Sequence, residues 1–156
     1  MDREAVFNAA KSTSSMATAY VMAVAQKYGQ QEAFDLLSSA YQQFGKQAGE
    51  MLKQQLEGKE LNAQNIFEVI APMFESLGFE FEKTEDSTDK VTVKIPRCPS
   101  YEACQEVGAP AAEFCKYMAE PLMNGIAKAI NPKAAWKYLK RRESADDYCI
   151  EQIVIE

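Results

Sequence analysis

Four cysteines and no histidine bound the chemistry open to this chain of 156 residues. Without an imidazole there is no Ser-His or Cys-His pair, no histidine metal ligand and no side chain whose ordinary pKa lies near neutrality. Cys98, Cys104, Cys115 and Cys149 leave two sharp options, metal binding by several thiolates or attack by one of them. Their successive spacings of 6, 11 and 34 contain no C-x-x-C step. Spacing alone therefore does not separate a metal site from four small apolar side chains in a core. Cys98 follows a predicted strand, Cys115 falls early in a predicted helix and Cys149 starts the last predicted strand, so the three could meet at one end of a sheet. There they could hold zinc, with Cys104, Glu102, Glu113 or a water as the fourth ligand. Alternatively Cys115, close behind Pro110, is a nucleophile whose pKa is lowered by its helix dipole, with Glu113 or Glu120 moving protons. An iron–sulfur cluster on all four cysteines is a third arrangement, disfavoured by the scattered spacing.

Those residues must be positioned by a folded domain. Apolar residues make up 47% of the chain and charged residues 26%, too apolar for disorder. Acidic side chains outnumber basic ones 23 to 17, which argues against a general nucleic-acid binder. No apolar run approaches the roughly 18 residues of a membrane span, and there is no Gly-rich phosphate loop. The start Met1-Asp2-Arg3-Glu4 has no apolar signal core behind it, so the expectation is a cytoplasmic protein with reduced thiols. Lys133, Lys137, Lys140, Arg141 and Arg142 form a basic strip, read as the solvated face of an edge strand or as a contact for an anionic ligand or partner.

The first half has helical period. Ala17, Tyr20, Val21 and Val24 mark one face of a helix ending near Tyr28-Gly29. Phe34, Leu37, Tyr41, Phe44, Ala48 and Met51 alternate steps of three and four, the seam of a second helix that packs on a neighbour or on a second copy of the chain. A third begins near Asn62, turns Ile66, Phe67, Ile70, Met73, Phe74 and Leu77 inward, and carries Pro72, which should bend or divide it. The second half changes to period two. Phe79 and Phe81, then Val91, Val93 and Ile95, predict a hairpin around the polar turn 84–89. A short helix from Ser100 to about Glu106 and a longer one from about Pro110 to Ile130, kinked at Pro121, lead to a second hairpin through Trp136 and Tyr138, turning at Ser144-Ala145-Asp146-Asp147 into Tyr148–Ile155. The sum is one α+β domain over 1–156: a helical half, 1–78, and a half, 79–156, holding a four-stranded antiparallel sheet built from two hairpins, with helices between them.

The motifs of the second half resemble a known family. Arg97-Cys98-Pro99-Ser100-Tyr101-Glu102-Ala103, Phe114-Cys115, Ile130-Asn131-Pro132 and Ala145-Asp146-Asp147-Tyr148-Cys149 are similar to the pattern of the L-2-amino-thiazoline-4-carboxylic acid hydrolase family. That pattern has a Cys-Pro step after a strand, a Cys in the next helix, an Asn-Pro after it, and a Gly-Asp-x-x-Cys or Gly-Asp-Asp-x-Cys turn into the last strand. The resemblance covers 90–156, with the front half alike in type and length. It extends to the 4-vinyl reductase domain, a ligand-sensing module. What it implies is an α+β homodimer with a buried pocket between helices and sheet, binding a small apolar or cyclic ligand beside the cysteines, or opening a cyclic C=N bond as a hydrolase. In the sensory relatives it further implies a zinc held largely by cysteines, and Cys115 and Cys149 fall where two of those ligands would lie. Arg141 or a neighbour stands where those relatives carry another cysteine, Lys116-Tyr117-Met118 where the hydrolases commonly have an acidic residue, and Ala145 where the turn has glycine.

Overall fold

In the computed structural model, which describes residues 2–156, α1 (Arg3–Tyr28) opens on Asp2, whose carboxylate accepts the Glu4 N–H at 3.1 Å. Gly29, at φ +104°, ends α1 and starts α2 (Gln30–Gln54), a reversal that a side chain at this position would strain. α1 packs on α2 and on α4 (Pro99–Val107), yet of its 26 residues only Phe7 and Thr18 are fully buried. Of the face assigned by periodicity Val21 and Val24 are half-buried, but Tyr20 and Ala17 are exposed, and Thr18 is buried. Phe7 is wedged between the backbone of Gly78 and the Arg97 guanidinium, which lies 3.8 Å from its ring centre.

The inward face of α2 follows its hydrophobic seam only in part. Phe34 is buried and Leu37, Tyr41 and Ala48 are half-buried, but Phe44 and Met51 are exposed, and Gly45 and Gly49 are buried. Two buried glycines have no apolar signal, yet they permit a close crossing of helices. A Cβ on Gly49 would stand 2.6 Å from the Ile126 carbonyl oxygen, and one on Gly125 2.8 Å from that of Gln42. α2 and α6 (Glu120–Ile130) therefore meet backbone to backbone.

α3 (Ala63–Ser76) is capped by Asn62, whose side-chain oxygen accepts the Asn65 N–H at 2.9 Å. It buries Ile66, Phe67, Ile70 and Phe74 and runs through Pro72 as one helix, with Pro72 on its exposed side. β1 (Glu80–Asp86) and β2 (Lys90–Arg97) form the first hairpin, β3 (Ala134–Lys140) and β4 (Cys149–Ile155) the second. β1 extends through residues expected in the turn, so the connection is only Ser87, Thr88 and Asp89. All pairings are antiparallel in the order β1-β2-β4-β3. α3 and α6 cover one face of this sheet, and Val91, Val93, Ile95, Trp136 and Ile153 close against Ile66, Ile70, Ile126 and Ile130. Asn124 of α6 accepts the Trp136 N–H and donates to the Trp136 carbonyl, both at 3.1 Å, satisfying backbone groups on an edge strand.

The helix expected from Pro110 to Ile130 has three parts: α5 (Ala111–Phe114), a π-helical turn (Cys115–Ala119) and α6. In the π turn the Glu120 N–H reaches back to the Cys115 carbonyl. Pro121 has no N–H to continue an α-helical ladder, and the wider turn accommodates it without ending the helix. A second, smaller cluster of Phe34, Tyr101, Cys104, Ala109, Ala111 and Phe114 lies between α2, α4 and α5.

Candidate functional site

Between the two clusters lies a cavity of about 250 Å³. α1 contributes Ser14, Thr18 and Val21 to its wall, α2 Leu37 and Tyr41, the end of α3 Phe74, and the sheet Ile95, Tyr138, Cys149 and Glu151. Cys98, Cys104 and Cys115 complete the set, so all four cysteines of the chain line one space. Spacing could not reveal this, because the four sit on different elements: the end of the first hairpin, α4, the π turn and β4.

All four are free thiols. Cys98 is the N-cap of α4, its sulfur accepting the Tyr101 N–H at 3.4 Å. Burial, with Cys115 nearby, pushes its thiol far above the ordinary value. Burial raises Cys104 as well, opposed by a hydrogen bond with Thr18. Cys115 is pushed up to about 11 by burial, only partly offset by the Arg141 guanidinium. These three are neutral thiols at physiological pH. Cys115 follows α5 into the π turn in mid-helix, so a dipole-activated thiolate at a helix N-terminus is not what the structure provides.

The carboxylates expected to serve these cysteines lie elsewhere. Glu113 is half-buried and does not line the cavity. Glu120 pairs with Arg141, and Glu102 with Arg97 at 3.3 Å and Lys11 at 3.8 Å. Among the described residues no three His, Cys, Asp or Glu side chains gather closely enough to hold a metal ion. The cavity wall as arranged here therefore does not fit the zinc set of Cys98, Cys104, Cys115 and Cys149.

Glu151, which composition and motif gave no reason to single out, is the carboxylate in the cavity wall. It is 8% exposed and stands between Cys149 and Ile153 on the inward face of β4, opposite Val93 on one side and Tyr138 on the other. The period of two in Cys149-Ile150-Glu151-Gln152-Ile153 already assigns it inward, a signal that its charge obscured. Its Oε2 accepts the Trp136 indole N–H at 2.8 Å. Burial raises its carboxyl to about 7 against the pull of that hydrogen bond and of Arg141 and Arg142. Burial and the Glu151 charge likewise raise Tyr138 well above its ordinary value.

The basic strip is not a free solvated face. Arg141 pairs with Glu120 and lies 4.3 Å from the Tyr138 ring centre, Lys137 pairs with Glu156 and Lys140 with Asp147. Arg142 is buried, and its Nη2 donates to the carbonyls of Ile95 at 3.1 Å and Pro96 at 2.7 Å. It thereby straps the second hairpin's connection to the end of β2. Asp147 accepts the Glu143 N–H at 3.1 Å, and Ala145 does not adopt positive φ, so this turn needs no glycine.

A sequence model of the L-2-amino-thiazoline-4-carboxylic acid hydrolase family matches residues 9–150. The chain belongs to this family. Its match spans the helical half as well as the cysteine motifs, beyond the 90–156 that motif resemblance reaches. Among curated proteins no sequence matches this L-2-amino-thiazoline-4-carboxylic acid hydrolase family member. Its fold is shared with the crystal structure of the phenol-responsive sensory domain of the transcription activator PoxR with phenol, at a TM-score of 0.63 and 12% identity, over 91% of this chain and 74% of that one.

Proposed function

We propose that this chain binds a small, largely apolar organic molecule in the cavity between its two clusters. The observation that carries this is the cavity itself: about 250 Å³, walled by Val21, Leu37, Phe74, Ile95 and Phe114, with one carboxylate in a largely apolar surface that also carries thiols and the hydroxyl residues Ser14, Thr18, Tyr41 and Tyr138. An engineered apolar cavity of roughly 150 Å³ holds benzene, so this one suits a molecule of one or two rings. The shared fold with a sensory domain solved with phenol supports the reading. The test is thermal unfolding against a panel of one- and two-ring compounds. A ligand at a hundred times its Kd adds about 2.7 kcal/mol to native stability. If no compound in the panel raised the melting temperature, the reading would fail.

Family membership favours a second reading, a hydrolase that opens a cyclic C=N bond. The neutral Cys115 thiol would add its sulfur to the C=N carbon and its proton to the nitrogen. The ring C–S bond then breaks as that proton passes to the leaving sulfur and C=N re-forms. Water adds to the resulting thioimidate and expels Cys115 as a thiol, leaving an amide. Cys115→Ser then abolishes turnover of a thiazoline while leaving the melting temperature nearly unchanged. Turnover that survives this substitution removes Cys115 from the chemistry.

We place a second copy of the chain against α2, whose Leu36, Phe44 and Met51 are exposed along one side of the helix, giving a homodimer. Light scattering on the purified protein distinguishes this from a monomer. Among the described residues no helix is long and apolar enough to cross a membrane. The reduced thiols of the cavity agree with work in the cytoplasm.

A further inference from the structure

Glu151 faces the cavity from a position where leucine or isoleucine would pack without penalty. β4 presents Cys149, Glu151 and Ile153 to the interior, and the neighbours across the sheet are Val93 and Tyr138. A carboxylate removed from water in such surroundings costs several kcal/mol unless its oxygens are hydrogen-bonded or a cation sits beside it. Here the compensation is partial. Carboxylate oxygens can together accept about four hydrogen bonds, and Glu151 takes one, from Trp136 Nε1 at 2.8 Å. Among the described residues no cation forms an ion pair with Glu151: Lys140 pairs with Asp147 and Arg141 with Glu120. Arg142 donates through Nη2 to two backbone carbonyls, with its Nε and Nη1 and Arg141 Nη1 buried without a partner. The remaining acceptor capacity belongs to a residue of the cavity wall.

We propose that Glu151 is the specificity-determining residue of this cavity, accepting a hydrogen bond from a neutral O–H or N–H group on a one- or two-ring molecule. The inference rests on the small-molecule reading above and adds which chemical group the ligand must carry. A cationic ligand is disfavoured because Arg141 and Arg142 already act on this carboxyl with positive charge and would repel a third cation. With the carboxyl ionised, above about pH 7, a ligand with only acceptors is disfavoured because it would face the carboxylate oxygens without a proton between them. The apolar walls grip the ring, and Trp136, whose indole already holds Oε2, keeps the carboxyl in place.

The test uses pairs of probes with matched shape that differ in the donor: phenol against fluorobenzene, and indole against benzothiophene. Affinities are measured by calorimetry at about pH 8.5, where the Glu151 carboxyl is ionised, on the wild-type protein, Glu151→Leu and Glu151→Gln. A hydrogen bond to a charged group corresponds to roughly ten- to hundred-fold in affinity. The donor of each pair therefore binds at least about ten-fold tighter than its partner to the wild type, and this preference collapses in Glu151→Leu and shrinks in Glu151→Gln. Emission of Trp136, the only tryptophan of the chain, responds to phenol and not to fluorobenzene, and provides a wild-type readout should a variant fail to fold. Equal binding of donor and non-donor, or a donor preference that survives in Glu151→Leu, overturns the proposal while leaving small-molecule binding intact. No binding by any of the four probes removes both.

Discussion

The two sides of the cavity are built from different materials. On the sheet side Ile66, Ile70, Ile126, Ile130 and Ile153 are entirely buried, and Trp136 stacks near Phe67 and Phe74, with ring centres at 6.5 and 5.9 Å. On the helical side the buried set is Phe34, Tyr101 and Phe114 with Cys104, Ala109 and Ala111. Branched aliphatic side chains interlock across a sheet and leave little void. Three aromatics separated by alanines and a cysteine cannot fill the space between four helical segments, and the space left over is the cavity. One region thus supplies the stability, and the other supplies room at a cost the first can bear.

The sharpest way to break this contrast is at the α2–α6 crossing, which both regions share. Gly49→Val forces a branched side chain against the Ile126 carbonyl, and the expected result is loss of cooperative unfolding by circular dichroism. Phe67→Ala, in the dense region, should cost about 3–5 kcal/mol in urea denaturation. Glu151 gives the next effect, and it depends on pH. Its carboxyl is raised to about 7 in the folded chain from an ordinary 4.5, so its contribution to stability is fully present below pH 4.5 and is lost as pH rises through 7. Glu151→Gln should therefore be more stable than the wild type at pH 8, by on the order of 3 kcal/mol, with the gain gone at pH 4. A wild-type protein equally stable at both pH values, once other carboxylates are accounted for, would show that Glu151 is not buried as described.

Phe114→Ala, in the sparse region, should cost only about 2–3 kcal/mol, because the space it opens joins one that already exists. It should also admit larger ligands. A cost equal to that of Phe67→Ala would erase the distinction between the two regions. Smallest of all is Lys11→Ala, which removes partly exposed pairs with Glu102 and Glu106 that fasten α1 to α4. Its slight effect on melting should vanish in high salt.

The hairpins, their order along the chain and the inward face of α3 were legible because strict periods of 2 and 3.6 run through those segments. The inner faces of α1 and α2 were legible only in part. Val21, Phe34, Leu37 and Tyr41 of the apolar pattern do face inward, but Thr18, Gly45 and Gly49 point inward while Tyr20, Phe44 and Met51 point out. Close helix packing selects for the absence of a side chain, which hydrophobicity cannot register. The candidate site was half legible. Its four cysteines could be named from the chain, and the elements predicted for Cys98, Cys115 and Cys149 already brought those three to one end of the sheet. That Cys104 joins them and that they line a cavity was decided by tertiary packing. Glu151 was hidden for the opposite reason: its position in the strand pattern indicates the interior, and only its charge suggests the surface.

The π turn at Cys115–Ala119 also sets an angular phase. Phe114 and Met123 lie nine residues apart, which at about 100° per residue puts them on opposite sides of an uninterrupted α-helix. Both line the cavity. A π turn takes one residue more than an α turn, and so absorbs about 100° of that half revolution. Removing a single residue between Cys115 and Ala119 would leave the helix straight and better hydrogen-bonded. Phe114 and Met123 would then lie eight residues apart, about 80° around the helix, and would still share the cavity side, so the wide turn is what lets a nine-residue span keep the phase of an eight-residue one.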